Sequence, residues 1–263
     1  MKNLQVGDKV LTGNKNTPYQ PVYSFGHRHE HLEGTFFQIH TADKAPLEMT
    51  GSHLMFIVDD ENKLQTVRAD AVKVGDHVVK SRDDGVMLPS TVTEITTIRK
   101  KGMYMPLTPD GTIVVDGIVA STYVSIQDQA PAVVENSKLF PFLTEQRILH
   151  WFLSPYRMLC LGVSSNACQF LESRDEEGIH FWLVAGRKLA EFANGQGFLV
   201  QVLLIGIPVF LVFALVNLLE VLLGGPALAP FVCFATTVFG GWIVNNLQRR
   251  RMRRENNETK KLE

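Results

Sequence analysis

Leu4–Thr12, LQVGDKVLT, and Val72–Lys80, VKVGDHVVK, share the core Val6-Gly7-Asp8 and Val74-Gly75-Asp76, and the two copies stand 68 residues apart. At the same offset Pro21 meets Pro89, Gly34 meets Gly102, Phe36 meets Tyr104, Ile39 meets Leu107, Phe56 meets Val124 and Val58 meets Ile126, with no gap. Self-similarity at a fixed period marks an internal duplication. Both copies read as strands. QVGDKVLT, TFFQIHT and HLMFIV in the first, and HVVKS, TVTEITTI, TIVVDG and STYVSI in the second, are rich in β-branched and aromatic residues at alternating or continuous spacing. Gly-Asp, Gly-Asn, Asp-Gly and Pro-Asp pairs punctuate them as turns. Short strands without intervening helices predict an all-β domain over residues 1–129, built as two half-domains about a pseudo-twofold axis.

The rest of the chain is of another kind. Of 263 residues, Lys and Arg number 26 and Asp and Glu 27, so no charge excess calls for a nucleic-acid partner. Cys160, Cys168 and Cys233 have no His or second Cys at zinc-ligand spacing, so neither a metal nor a cofactor is expected. Cys160 and Cys168 can pair if their segment meets an oxidising compartment. MKNLQVGDKV at the start has no apolar core and does not read as a signal peptide.

Two stretches of the first half carry side chains suited to proton transfer. Thr50-Gly51-Ser52-His53 enters the apolar strand LMFIV, and His27-Arg28-His29-Glu30-His31 sits in a His-rich turn. The second is not a helical HExxH pattern, because its His spacing is two. Read alone, a His before a strand is more often a satisfied structural residue than a catalyst.

The Val-Gly-Asp strand, the Thr-x-x-His block and residues 102–126, GMYMPLTPDGTIVVDGIVASTYVSI, resemble the Hint domain of hedgehog and related proteins over residues 3–128. That fold is itself an internally duplicated β structure. The resemblance implies autoprocessing: a Cys opening the domain attacks the preceding carbonyl, and a second nucleophile, a sterol in hedgehog proteins, opens the thioester. An amide is a poor acyl donor, so its nitrogen must be protonated and the thiol activated and held close. On this resemblance His53 protonates the departing amine and Thr50 orients the scissile peptide. His27 stands where hedgehog proteins place an Asp, the base for the second nucleophile. Thr122 stands where they carry a Cys.

Met1 lies five residues before Val6, so the family's first block, with its nucleophilic Cys, is expected upstream of this sequence. His53, Thr50 and His27 would then be part of a site completed by the preceding segment of the same protein, which is also its cleavage substrate. Without that Cys the chain is not expected to cleave itself. The competing reading is a non-catalytic, membrane-anchored β module that binds a partner.

Residues 130–196 read as a linker followed by amphipathic helices, a candidate sterol- or membrane-recognition region. LHWFLSPYRML, at 149–159, resembles the stretch after hedgehog Hint domains, and Pro155 should break its helix. In IHFWLVAGRKLAEFAN, residues 179–194, Phe181, Trp182 and Leu189 are expected to face lipid. Residues 197–225 and 226–247 are each long and apolar enough to suggest a transmembrane helix, together a hairpin over 197–248 in a bilayer. The basic tail, 249–263, is expected in the cytosol by the positive-inside rule, which makes the protein multi-pass.

Overall fold

The computed structural model describes residues 1–125 except 43, 60 and 83–85, then 144–163, 168, 172–194, 196–197, 200, 203 and 207–222. The strands are β1 (Lys9–Leu11), β2 (Tyr19–Pro21), β3 (Ser24–Thr41), β4 (Lys44–Thr50), β5 (His53–Val58), β6 (Leu64–Arg68), β7 (His77–Ser81), β8 (Met87–Leu107), β9 (Thr112–Val115) and β10 (Ile118–Val124). The main sheet runs β4-β3-β8-β7-β10-β5-β6, with β9 on β10, and β1 and β2 form a separate pair. The all-β domain is therefore as expected.

The duplication is visible bond for bond at the two Val-Gly-Asp turns. Gly7 and Gly75 sit at φ 96° and 98°, a region that L side chains avoid, so both turns require glycine. Asp8 Oδ2 accepts from Gln5 N, and Asp76 Oδ2 accepts from Lys73 N, each at 2.8 Å. Gly7 N donates to Val22 O at 2.8 Å and Gly75 N to Val92 O at 2.9 Å. The equivalent of Val22 is thus Val92, two residues beyond the ungapped register. The halves meet where the long strands β3 and β8 run antiparallel. Glu33 opposite Lys101 pairs two positions that are each other's repeat equivalents, as a twofold axis between antiparallel strands demands. Register shifts between Phe25 and His27, between His29 and Glu33, and between His40 and Thr41 bend this pair and absorb the mismatch.

Two apolar clusters result. One gathers Ile39, Leu47, Met49, Met55, Val78, Val92, Ile113 and Ile118 between the halves of the sheet. The other joins Tyr23, Leu54, Met105, Leu107 and Tyr123 to Leu149, Leu153, Tyr156, Cys160 and Cys168, so the helical segment packs onto the β domain. Its helices are α1 (Glu145–Phe152), α2 (Ser154–Met158), α3 (Phe181–Asn194) and α4 (Ile207–Leu222). Thr144 caps α1, its hydroxyl accepting from Arg147 N. Pro155 falls in the first turn of α2, where its missing N–H costs nothing. Cys160 and Cys168 form a disulfide.

A buried polar cluster fastens this layer. Arg157 is fully buried and donates to the His150 carbonyl at 2.9 Å, while His150 Nδ1 shares a 2.7 Å hydrogen bond with the Tyr123 hydroxyl on β10. Burial, and then the Arg157 charge, hold the His150 imidazole well below its ordinary pKa, so it is neutral. Arg157→Ala strips the His150 carbonyl of its donor and leaves a void. It is expected to cost about 2–4 kcal/mol, read as a lower urea midpoint at unchanged m.

Two expectations are not supported among the described residues. Phe181 and Trp182 are half-buried against protein, Trp182 packing on Phe152 at 6.1 Å between ring centroids and Phe181 on Tyr156 at 6.4 Å, while Leu189 is exposed. The span expected over 197–225 gives the 16-residue helix α4, and no helix among the described residues is long and apolar enough to cross a membrane. Phe213 stacks on Trp151 at 5.1 Å, and buried Asn217 donates to Ser154 Oγ at 2.8 Å, so one side of α4 is committed to protein. The second span, over 226–247, the tail 249–263 and the linker 130–137 lie outside the described residues.

Candidate functional site

Thr50 ends β4 and His53 begins β5, and the reversal between them is pinned from two directions. Thr50 pairs with Phe36 on β3, and His53 pairs with Val124 on β10. Gly51 O accepts from Asp70 N at 3.0 Å and Ser52 O from Ser125 N at 2.8 Å. A Cβ on Gly51 would stand 2.9 Å from the Phe37 ring and 3.1 Å from Asp70 Cβ, so the reversal is closed to larger residues. Thr50 and His53 therefore lie at the seam between the half-domains, held by strands of both.

The His53 ring donates from Nε2 to the Ser121 carbonyl at 3.2 Å, which leaves Nδ1 as an acceptor. Burial lowers its pKa to about 4, against a smaller opposing effect of the Ser121 carbonyl. The imidazole is neutral at physiological pH, and its conjugate acid, once formed, is a strong proton donor. Ser121 is itself fixed from behind. Its hydroxyl donates to Gln146 Oε1 on α1 and accepts from Tyr123 N at 2.8 Å, while Gln146 Nε2 donates to Gly111 O at 2.9 Å. This support for His53 escaped the sequence reading, since Gln146 stands alone in an amphipathic helix with no motif around it.

His27 lies at the first register shift of β3. Its Nε2 donates to the Glu177 carbonyl at 2.7 Å, again leaving Nδ1 as an acceptor. His29 belongs to a local turn instead, its Nδ1 accepting from Leu32 N at 2.9 Å. Thr122 is 1% exposed on β10.

A cavity of about 140 Å³ brings these residues together: Thr50, His53, His27 and Thr122 all line it, with Met1, Met103, Met105, Pro106 and Val124 among the remaining walls. Two imidazoles and two threonine hydroxyl side chains thus line one small, mostly apolar space at the seam. Cys160 and Cys168 take no part, since they are buried in the second cluster and bonded to each other.

The Hint module family model matches residues 1–194. Protein hedgehog of Drosophila melanogaster is 30% identical over 206 residues, covering 73% of this chain and 40% of that protein. Protein hedgehog of Drosophila virilis is 32% identical over 162 residues, covering 60% and 30%. The chain thus spans about two-fifths or less of the length of these relatives. Among solved structures, the transcription factor IIB Mvu mini-intein is 20% identical with a TM-score of 0.36, covering 43% of this chain and 71% of that one. The gp41-1 intein is 15% identical with a TM-score of 0.36, covering 45% and 83%. With a family model that runs from the first Val-Gly-Asp turn through the helix carrying Phe181 and Trp182, the chain belongs to the hedgehog/intein Hint family.

Proposed function

We propose that this chain is the greater part of an autoprocessing domain whose nucleophile is a Cys in the segment preceding Met1. The observation that carries the reading is the single cavity lined by Thr50, His53 and His27. The Cys thiol gives its proton to His53 Nδ1 and its sulfur adds to the preceding carbonyl. The C–N bond then breaks as His53 returns that proton to the departing amine, leaving a thioester. Thr50 holds the scissile peptide against this proton relay. In the second step an acceptor O–H, from a sterol or from water, loses its proton to His27 Nδ1. Its oxygen bonds to the thioester carbon, and the C–S bond breaks to a thiolate that takes the proton from His27. The upstream segment of the same protein is the substrate and is released with the acceptor attached.

The helical layer is proposed to work at a lipid surface. α4 turns Leu211, Leu215, Leu218 and Leu222 outward while its other face holds protein, the division expected of an interfacial helix. Such a placement would bring a sterol acceptor to the domain.

The test is to express the chain together with its in-frame upstream sequence and treat it with dithiothreitol. Cleavage immediately before a Cys upstream of Val6, abolished by Cys→Ala, is the expected result. A chain with no such Cys, or one that stays intact, sinks the reading in favour of a non-catalytic membrane-anchored β module.

A further inference from the structure

A short turn far along the chain holds His27, and nothing in the Hint motifs announces it. Residues 174–180 lie beside β3: Arg28 N donates to Gly178 O at 2.9 Å, His180 N donates to Gly26 O at 2.9 Å, and His27 bridges to Ile179. The turn carries its own lock. Asp175 Oδ1 accepts from Ile179 N at 2.8 Å and from Glu177 N at 3.1 Å, and Gly178 N donates to Asp175 O at 2.9 Å. Gly178 sits at φ 82°, and a Cβ there would come within 2.4 Å of Arg28 O. Within this turn the Glu177 carbonyl accepts the His27 Nε2–H at 2.7 Å.

We propose that the Asp175–Gly178 turn is a positioning element for His27 in the second, acceptor-dependent step; the role given to His27 rests on the function proposed above. A half-buried imidazole on a strand surface has several rotamers open to it. The Glu177 carbonyl selects one ring orientation and one tautomer, keeps the Nδ1 lone pair toward the cavity, and stabilises the imidazolium that forms when Nδ1 takes the acceptor's proton. This is the service that a carboxylate renders to the His of a Ser-His-Asp triad, here given by a backbone oxygen. It also makes the second step depend on the helical layer. The turn runs directly into α3 through His180, so anything that displaces α3 slackens the hold on His27 while leaving Thr50 and His53, held by β3 and β10, in place.

Two measurements test this. In the full chain labelled with ¹⁵N-His, the His27 Nε2–H should give a proton signal protected from solvent exchange, assigned by its loss in His27→Gln. Asp175→Ala and Gly178→Ala should lose that signal, and Asp175→Asn, which keeps Oδ1, should retain it. In the chain extended upstream through the Cys, the first two variants should slow transfer to a hydroxyl acceptor by about ten- to a hundredfold. Dithiothreitol cleavage, which reports thioester formation, should hold its rate. A His27 signal absent from the unsubstituted chain or unchanged in both variants overturns the proposal, as does a lost signal with unaltered transfer. Failure of the extended chain to form any thioester overturns the autoprocessing reading instead, and the exchange measurement still decides whether the turn holds His27.

Discussion

His53→Ala, made in the chain extended upstream through its Cys, is expected to slow thioester formation by about 10²–10⁴-fold, the range that a positioned acid–base group supplies. The argument rests on where the ring is and on its charge. His53 donates from Nε2 to Ser121 O, and its pKa lies at about 4. At neutral pH the Nδ1 lone pair is therefore available, and the imidazolium made by deprotonating a thiol gives up its proton readily. His53→Gln can still donate to Ser121 O but cannot relay a proton, so it should fail to the same degree as the alanine variant. That pairing separates chemistry from support. A glutamine variant with near-normal rates would mean that His53 only holds the turn at Gly51–Ser52, and the proposed relay would be wrong. The rate in the unsubstituted chain should not fall between pH 7 and pH 5.5 through protonation of His53. A group of ordinary imidazole pKa would lose most of its basic form over that interval.

Some of this site was open to sequence reasoning and some was closed to it, for identifiable reasons. The two Val-Gly-Asp turns were legible because each needs a positive-φ glycine and an Asp side chain bonding back to the backbone, and both demands write themselves into consecutive residues. Thr50 and His53 were legible through the resemblance of the Thr-x-x-His block to hedgehog Hint domains, and not from their spacing alone. The true register of the repeat was not, since the bulges in β3 and β8 shift Val22 and Val92 by two positions without leaving a composition signal. The Glu177 carbonyl beside His27 was closed altogether. A backbone oxygen carries no side-chain identity, and the two residues are 150 positions apart. Which face of α4 meets protein was closed for a related reason. Counting apolar residues cannot tell a face that meets lipid from a face that meets Trp151 and Phe152, and Phe213 stacks on both. Asn217, a polar residue within that run, is buried against Ser154.

The fold should lose stability on mild acidification, by about 2 kcal/mol from His53 alone between pH 7.5 and pH 5. Above pH 6.5 both folded and unfolded chains carry the neutral ring, and its contribution is complete. As pH falls from 6.5 toward the folded value of about 4, the unfolded chain binds a proton that the folded chain refuses, so unfolding is favoured by a further increment with each unit. Below pH 4 both states are protonated and His53 adds nothing more. His150, held low by burial and Arg157, acts in the same direction as pH falls below 6.5. Carboxylates do not confuse the window: Glu48, whose pKa Lys100 lowers, contributes above its unfolded value of 4.5 and is lost only below it. Urea unfolding at a series of pH values should show the slope, and His53→Gln should remove the His53 share while leaving that of His150. An unchanged slope in His53→Gln would mean that the ring is solvated in the folded chain, and the neutral relay would lose its physical basis. The two measurements are linked for that reason. The burial that makes His53 costly at pH 5 is the same burial that keeps Nδ1 unprotonated at pH 7, so a site that relays a proton through a neutral imidazole carries its acid sensitivity as a direct consequence.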